Sequence, residues 1–188
     1  MHSNLEIQHL VQGCIQQDEN CQRALVHQFS GMLYSICLRY IGDAHKAKDT
    51  LQDSFIRIFK AIHQYNPERG SLQGWMRKIT VNVALKQLKK EKLRKEGPMT
   101  ENLTDFHRAP KVAEKLDTDD LMKLVMTLPE GYRQIFNLSV IEGYNHREIG
   151  KMVGIEEATS RSQLSRAKQL LRQKISKLEN SESWARIS

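Results

Sequence analysis

Apolar residues recur at steps of three and four along most of this 188-residue chain. No stretch alternates apolar and polar residues for long enough to predict a β-strand. Side chains at this spacing share one face of a helix, so the sequence predicts an all-α fold. The clearest runs are Leu25-Phe29-Leu33-Ile36-Tyr40, Leu51-Phe55-Ile58-Ile62 and Trp75-Ile79-Val83.

Breaks in this periodicity divide the chain into two small helical domains. Gly42-Asp43 and the segment NPERGS interrupt the first half, and the serine of that segment can cap the next helix. From Gly97 to about Leu116 the periodicity fades, and two prolines among scattered charges are typical of a flexible linker. The predicted ranges are 1–95 for the first domain, 96–116 for the linker and 117–188 for the second domain.

The charge of the chain predicts an acidic partner. Its 29 Lys and Arg residues exceed its 22 Asp and Glu residues, which gives a net charge of +7. Nucleic acid is the first candidate for such a partner and an anionic membrane surface is the second. No apolar run is long enough to span a bilayer and the N-terminus lacks the layout of a signal peptide, so we expect a cytoplasmic protein without membrane insertion.

The cysteines agree with a reducing compartment. Cys14, Cys21 and Cys37 are odd in number and lack CxxC spacing. A zinc site that includes His9 or His27 is an open alternative, although this spacing matches no common zinc site. We therefore predict no metal and no cofactor.

The second half contains a helix-turn-helix pattern with a basic second helix. Helices predicted over 146–153 and 157–178 flank Gly154, which can adopt the positive φ of a tight turn. From Ala158 to Leu178 there are six Lys and Arg residues and no Asp or Glu. A solvated face usually mixes both signs, so this one predicts a helix that enters a major groove of DNA. The expected DNA contacts are Thr159, Ser160, Arg161, Ser162, Ser165, Arg166 and Lys168.

A second basic helix is predicted in the first half. From Arg77 to Lys95, Glu91 is the single acid among eight Lys and Arg residues. This segment follows the polar loop HQYNPERGSLQGW, and a basic track beside such a loop is typical of proteins that bind single strands. Its expected DNA contacts are Arg77, Lys78, Asn82, Lys86 and Lys89.

Two residues beside this loop have alternative interpretations. Asn82 is either a base contact or a buried side chain that caps the loop. Trp75 is either a core residue or a stacking platform for bases, and its spacing to Ile79 and Val83 favours the core.

The segment from Leu128 to Arg172, LPEGYRQIFNLSVIEGYNHREIGKMVGIEEATSRSQLSRAKQLLR, resembles a known domain. It is similar to the C-terminal promoter-binding domain of the extracytoplasmic-function sigma factors of the sigma-70 family. The resemblance implies that this domain reads the upstream (−35) promoter element. Gly150 replaces a usual alanine, which is expected to loosen its helix by about 1 kcal/mol, and Ser160 replaces a usual apolar residue.

Two segments of the first half resemble the same family, in the same order. GDAHKAKDTLQDSFIRIF resembles its polymerase-binding helix, and RGSLQGWMRKITVNVALKQLKK resembles the segment that captures the downstream (−10) element. The resemblance implies a sigma factor that binds promoter DNA and the clamp of the largest subunit of core RNA polymerase. An anti-sigma factor is a further candidate partner. The residues assigned to polymerase binding are Asp49, Gln52 and Asp53.

The sequence does not predict an enzyme. It has no Gly-rich phosphate loop, GxSxG or HExxH motif. His45, Asp49 and Asp53 share one helical face, but EIQH is a single Glu-x-x-His, and a di-iron bundle needs that motif twice. On the residues alone, this acidic face is either a complement to a basic protein surface or an ordinary solvated face.

Two other classes of protein are alternatives to a sigma factor. The first is an autonomous helix-turn-helix regulator that binds duplex DNA without polymerase. The second is a helical adaptor that binds protein alone. Neither class requires two basic helices with a polar loop beside one of them.

Overall fold

A computed structural model describes residues 4–95 and 118–185, and within these ranges it contains helices and no strand. The all-α prediction is confirmed. The chain divides into two compact units, Met1–Met99 and Thr100–Ser188. The predicted linker, 96–116, lies outside the described residues. No helix in the described ranges is long and apolar enough to cross a membrane.

The first unit is a helical bundle. Its helices are α1 (Asn4–Ile15), α2 (Glu19–Ile41), α3 (Ala44–Ala61) and α4 (Leu72–Lys95). Helices α2, α3 and α4 pack against one another, and α1 packs on α2. Two 3₁₀ turns, Ile62–Gln64 and Pro67–Arg69, connect α3 to α4, and α1 also contacts the first of them.

Local hydrogen bonds fix the ends of these helices. Helix α2 ends at Gly42, which has a φ of 80°. The Asp43 carboxylate then accepts from the backbone amide of Lys46 at 2.8 Å and starts α3. The Ser71 hydroxyl accepts from the amide of Gly74 at 3.1 Å and starts α4. Both breaks predicted in this half of the chain are therefore confirmed.

The buried side of α4 is one residue away from the predicted stripe. The side chains that point into the core follow a four-residue repeat, and Thr80 satisfies its hydroxyl by donating to the Met76 carbonyl at 3.0 Å. Trp75, Ile79 and Val83 are only half-buried. The prediction of Trp75 as a core residue is therefore corrected, since it lies at the edge of the core. The buried series at four-residue steps is Leu72, Met76, Thr80, Ala84 and Leu88, and Val81 and Leu85 are buried beside it.

The second unit surrounds the long helix α8. Its elements are α5 (Thr118–Met126), α6 (Glu130–Phe136), a π-helical segment (Asn137–Ile141), α7 (His146–Val153) and α8 (Glu157–Ala185). Helices α5, α6 and α7 all contact α8. The buried Arg133 guanidinium donates to the carbonyls of Met126 at 3.1 Å and Leu128 at 3.4 Å, which joins α6 to the end of α5.

The turn between α7 and α8 closes on the carbonyl of Gly150. The amides of Gly154 and Ile155 donate to it at 2.9 and 3.0 Å, and Gly154 has a φ of 75°. Gly150 is buried, and a Cβ added to it would lie 2.7 Å from the carbonyl oxygen of Ile155. The expectation that Gly150 simply loosens its helix is therefore corrected, because this turn has no room for a side chain there.

We expect Gly150→Ala to destabilise the second unit, although alanine favours helix. Accommodating the Cβ requires a backbone shift that costs about 1–3 kcal/mol, which exceeds the gain of about 1 kcal/mol in helix propensity. Thermal unfolding followed by circular dichroism should show a lower midpoint.

The matched control is Gly131→Ala. Gly131 is exposed on α6, and a Cβ there would meet nothing within 4 Å. Its midpoint should stay unchanged or rise. An unchanged or higher midpoint for Gly150→Ala would contradict the close-packed turn.

Candidate nucleic-acid and protein interfaces

Helix α8 presents a basic face away from the core of its unit. Leu164, Ala167 and Leu171 are buried on the inner side of the helix. Thr159 is half-buried at the start of α8. Short hydroxyl side chains beside cationic ones allow the backbone of the protein helix to approach DNA phosphates and base edges closely, which suits contact with DNA. The exposed residues of this face are Arg161, Ser162, Ser165, Arg166 and Lys168.

Arg161 has a local partner on this face. Its guanidinium pairs with the carboxylate of Glu157 one turn earlier, and both side chains are substantially exposed. An exposed pair at this spacing contributes about 0.3–0.5 kcal/mol. It therefore orients Arg161 near the start of the helix but is weak enough to exchange for a phosphate or a base.

Ser160 faces the interior of the second unit. It is 0% exposed, and its hydroxyl oxygen lies 2.9 Å from Nδ1 of His146 on α7. A side chain without access to solvent cannot contact DNA in this conformation, so the prediction of Ser160 as a DNA contact is corrected. Its role is to join the two helices of the motif. The helical spacing of Ser160 to Leu164 and Ala167 was the signal for its burial.

Helix α4 presents a second basic face. Its outward residues follow helical spacing, as a face opposite the buried series requires. Arg77 is half-buried, and its aliphatic stem can lie on the bundle while its charged head reaches solvent. The exposed members of this face are Lys78, Asn82, Lys86 and Lys89.

The exposure of Asn82 excludes its alternative interpretation as a buried cap. The caps in the loop before α4 come from other residues. Asn66 Oδ1 accepts from the amide of Glu68 at 2.8 Å, and Ser71 caps α4 as described above. Asn82 is therefore available for contact with a nucleic acid.

Helix α3 carries an exposed acidic face. Asp49, Gln52 and Asp53 are all exposed on one side of the helix. Ile56 lies one turn beyond them and is 53% exposed. The sequence analysis missed Ile56, although its spacing to Asp49, Gln52 and Asp53 places all four on one face. A large exposed apolar side chain beside carboxylates favours a protein-binding surface over an ordinary solvated face.

The residues considered for metal binding do not form a site. In the ranges 4–95 and 118–185, no group of three His, Cys, Asp or Glu side chains could hold a metal ion. His45 Nδ1 lies 3.5 Å from the Asp49 carboxylate, which is a local ion pair when the histidine is protonated. Burial raises the pKa of Cys14 and of Cys37 to about 11, so both are neutral thiols at pH 7.

Models of the sigma-70 family match both units. The model described as "Sigma-70 region 2" matches residues 25–94, and the model "Sigma-70, region 4" matches residues 118–171. The first match includes the acidic face of α3 and the basic face of α4. The second includes α7, the turn after it and α8 as far as Leu171.

Curated relatives agree with these matches. The chain is 31% identical over 161 residues to "ECF RNA polymerase sigma factor SigE" of Mycolicibacterium smegmatis. This alignment covers 81% of this chain and 61% of that protein. It is 25% identical over 172 residues to "ECF RNA polymerase sigma factor SigW" of Bacillus subtilis, which covers 84% of this chain and 90% of that protein. The chain thus spans about three fifths of the first relative and most of the second.

A solved structure agrees in fold. The sigma factor RpoE of Bartonella quintana, in complex with the anti-sigma factor NepR, aligns with a TM-score of 0.51 at 20% identity. The alignment covers 82% of this chain and 96% of that chain.

We expect Ser160→Ala to lower the stability of the second unit and Ser162→Ala to weaken binding to DNA. The Ser160 change removes a buried hydrogen bond and leaves the partner of His146 missing, so it should lower the stability of the second unit by about 1–3 kcal/mol. Ser162 is exposed on the outward face, where its hydroxyl donates to the Thr159 carbonyl at 3.0 Å. Its removal should leave the unfolding midpoint nearly unchanged and weaken binding to duplex DNA.

Thermal unfolding and fluorescence anisotropy on a labelled duplex measure the two effects. Weaker DNA binding by Ser160→Ala at a temperature where it is fully folded, with unchanged binding by Ser162→Ala, would overturn the assignment of the outward face.

Proposed function

Because this chain belongs to the sigma-70 family and to its extracytoplasmic-function group, we propose that it is a sigma factor that directs core RNA polymerase to promoters. The observation that carries the proposal is the combination of surfaces. The first unit has a basic face on α4 and an acidic face on α3, and the second unit has a basic face on α8. An autonomous regulator needs one DNA-reading helix and no acidic docking face.

The acidic face of α3 is the proposed docking surface for the polymerase. Asp49, Gln52 and Asp53 would meet the clamp of the largest subunit, with Ile56 in the same contact. Carboxylates beside an amide suit a basic, hydrogen-bonding protein surface. The exposed isoleucine would add apolar area at the centre of that contact.

The two basic faces divide the recognition of DNA between them. Helix α8 would enter the major groove at the upstream promoter element, where Arg161 and Arg166 are suited to bind guanine O6 and N7. Helix α4 and the loop before it would hold the downstream strand as it melts, because a basic track beside a polar loop suits unpaired bases. Flipping a base out of its stack costs a few kcal/mol, which this second contact must offset.

The proposed role requires neither catalysis nor a cofactor from this chain, because nucleotide addition belongs to the polymerase. Its place of action is the cytoplasm. An anti-sigma factor is a proposed regulator, and the support for it is that the structurally similar RpoE was solved with NepR bound.

A comparison with and without core polymerase tests the proposal. Duplexes selected from a random library by the holoenzyme would be offered to the chain alone, to core polymerase alone and to both together. Permanganate reactivity of unpaired thymines then reports duplex opening. We expect opening only with both proteins. Tight, sequence-specific binding by the chain alone would favour the autonomous regulator.

Replacing Asp53 with alanine should weaken polymerase binding without unfolding the first unit. Loss of one partner from a buried interfacial charge pair costs about 2–5 kcal/mol, while Asp53 is exposed in the free chain. A pull-down of core polymerase measures the loss. The control is Glu19→Ala, since Glu19 is an exposed acid on α2 whose only described ion pair is a surface pair with Arg23. Full retention of core by an Asp49→Ala/Asp53→Ala variant would contradict the docking surface.

Replacing Asn82 with alanine should impair opening more than initial binding. Asn82 is exposed, so the unfolding midpoint should stay nearly unchanged. A template with a pre-melted bubble removes the cost of opening and should restore part of the transcription. Lys48→Ala is a control, because it removes an exposed polar side chain from α3. Equal defects on duplex and bubble templates would exclude a role for Asn82 in opening.

A further inference from the structure

The loop between α3 and α4 is closed by one aromatic side chain. The Tyr65 hydroxyl donates to the backbone carbonyl of Gly70 at 3.1 Å. The Tyr65 ring lies 5.8 Å from the ring of Trp75 on α4, at an angle of 57°. Tyr65 therefore joins the two ends of the loop, residues 66–71, to the first turn of α4.

Gly70, which accepts this hydrogen bond, adopts a backbone conformation that favours glycine. Its φ of 139° and ψ of 177° lie in a region that is essentially restricted to glycine. A Cβ on Gly70 would meet nothing within 4 Å, so it is the backbone geometry that requires glycine there, and not crowding. Glycine is also the residue most free to leave such a conformation. Two hydrogen bonds hold Gly70: its amide donates to the Pro67 carbonyl at 3.4 Å, and its carbonyl accepts from the Tyr65 hydroxyl at 3.1 Å.

The hydroxyl of Tyr65 remains a donor at physiological pH. Tyr65 is half-buried, and this burial raises its pKa above the ordinary value, with an opposing effect from the backbone amide of Leu72. The phenol therefore keeps its proton near pH 7. The bond to Gly70 persists under the conditions in which the chain would act.

Two polar side chains of the loop already accept hydrogen bonds from backbone amides. The side-chain oxygens of Asn66 and Ser71 accept backbone hydrogen bonds, at 2.8 and 3.1 Å. The exposed groups are the backbone near Gly70 and the side chains of Glu68 and Arg69. Backbone bonds within the loop run from the Arg69 amide to the Asn66 carbonyl at 3.1 Å and from the Gly70 amide to the Pro67 carbonyl at 3.4 Å. The bond from Tyr65 to Gly70 adds a side-chain tie between the two ends of the loop.

We propose that Tyr65 is a positioning residue, which holds the loop 66–71 in the shape that accepts the unpaired promoter strand. The inference rests on the function proposed above. Tyr65 acts through the loop and through Gly70, and it needs no contact of its own with DNA. Its effect should therefore fall on duplex opening and spare polymerase binding.

The test uses Tyr65→Phe in the full chain, assembled with core polymerase. Phenylalanine keeps the ring beside Trp75 and removes only the hydroxyl. One hydrogen bond of this kind corresponds to roughly a twofold to tenfold effect on an equilibrium. We expect the extent of opening, measured by permanganate on a library-selected duplex, to fall by that factor. Pull-down of core and closed-complex affinity in the cold should not change.

Two further variants make the result specific. Gly70→Ala should give the same opening defect through the backbone, and combining it with Tyr65→Phe should add little, because both act on one contact. Tyr34→Phe is the control, since Tyr34 is a half-buried tyrosine of the same unit that lies on α2 and not in the loop. Unchanged opening by Tyr65→Phe would overturn the inference.

Other outcomes have separate meanings. Equal losses in core binding, closed-complex affinity and opening, in step with a lower unfolding midpoint, would reduce Tyr65 to a purely structural residue and also overturn the inference. Failure of the proposed function itself is visible without any substitution, because the unmodified chain would then direct core polymerase to no duplex.

Discussion

Close contact among α2, α3 and α4 is the constraint on which the first unit depends. It is made possible by small side chains at the buried positions, with Ala47, Ser54 and Ala84 all 0% exposed. The hydroxyls of Thr50 and Ser54 donate to carbonyls one turn earlier, each at 2.7 Å, so they are buried without unsatisfied groups. The acidic face of α3 and the basic face of α4 therefore belong to one packed unit.

The second unit depends on two features of the contact between α7 and α8. One is a buried glycine, and the other is a hydrogen-bonded pair of polar side chains. Gly150 lets the turn approach α7 closely, and His146, one turn before it, meets Ser160 on α8. Both Gly150 and Ser160 lie where α7 and α8 meet. Together they set the position of the helix whose outer face carries Arg161 and Arg166.

The proposed division of function between the two units would have a physical advantage. Each basic face alone would bind DNA weakly and with a strong dependence on salt, since phosphate contacts supply most of such affinity. Two weak contacts in one chain raise each other's effective concentration without any new interaction. In the proposed role, anchoring the first unit to the polymerase would add a third contact, so specificity would not require any one surface to bind tightly.

The sequence by itself determined the all-α class, the helix ends that carry a glycine or a cap, and the two basic segments. The end of α8, predicted at residue 178, lies at Ala185. Periodicity and caps are local properties, and the ends near Gly42 and Gly154 follow from hydrogen bonds within a few residues. Tertiary structure decided which neighbouring stripe of α4 is buried. Trp75 and Ile79 are the more apolar choice, yet Met76 and Thr80 are the residues buried in the unit in which α4 packs on α2 and α3.

For the candidate sites as well, residue type predicted the position of some side chains and left others to the tertiary structure. Residue type placed Asp49, Asp53 and the cations of α8 on outward faces, because charged side chains stay in water unless they are paired. Residue type could not place Ser160, Asn82 or Tyr65, since serine, asparagine and tyrosine are stable both inside and outside a fold when they have hydrogen-bond partners. Those partners come from other elements: His146 lies on α7, and the carbonyl that Tyr65 meets belongs to a glycine five residues away. Only the folded chain brings them together.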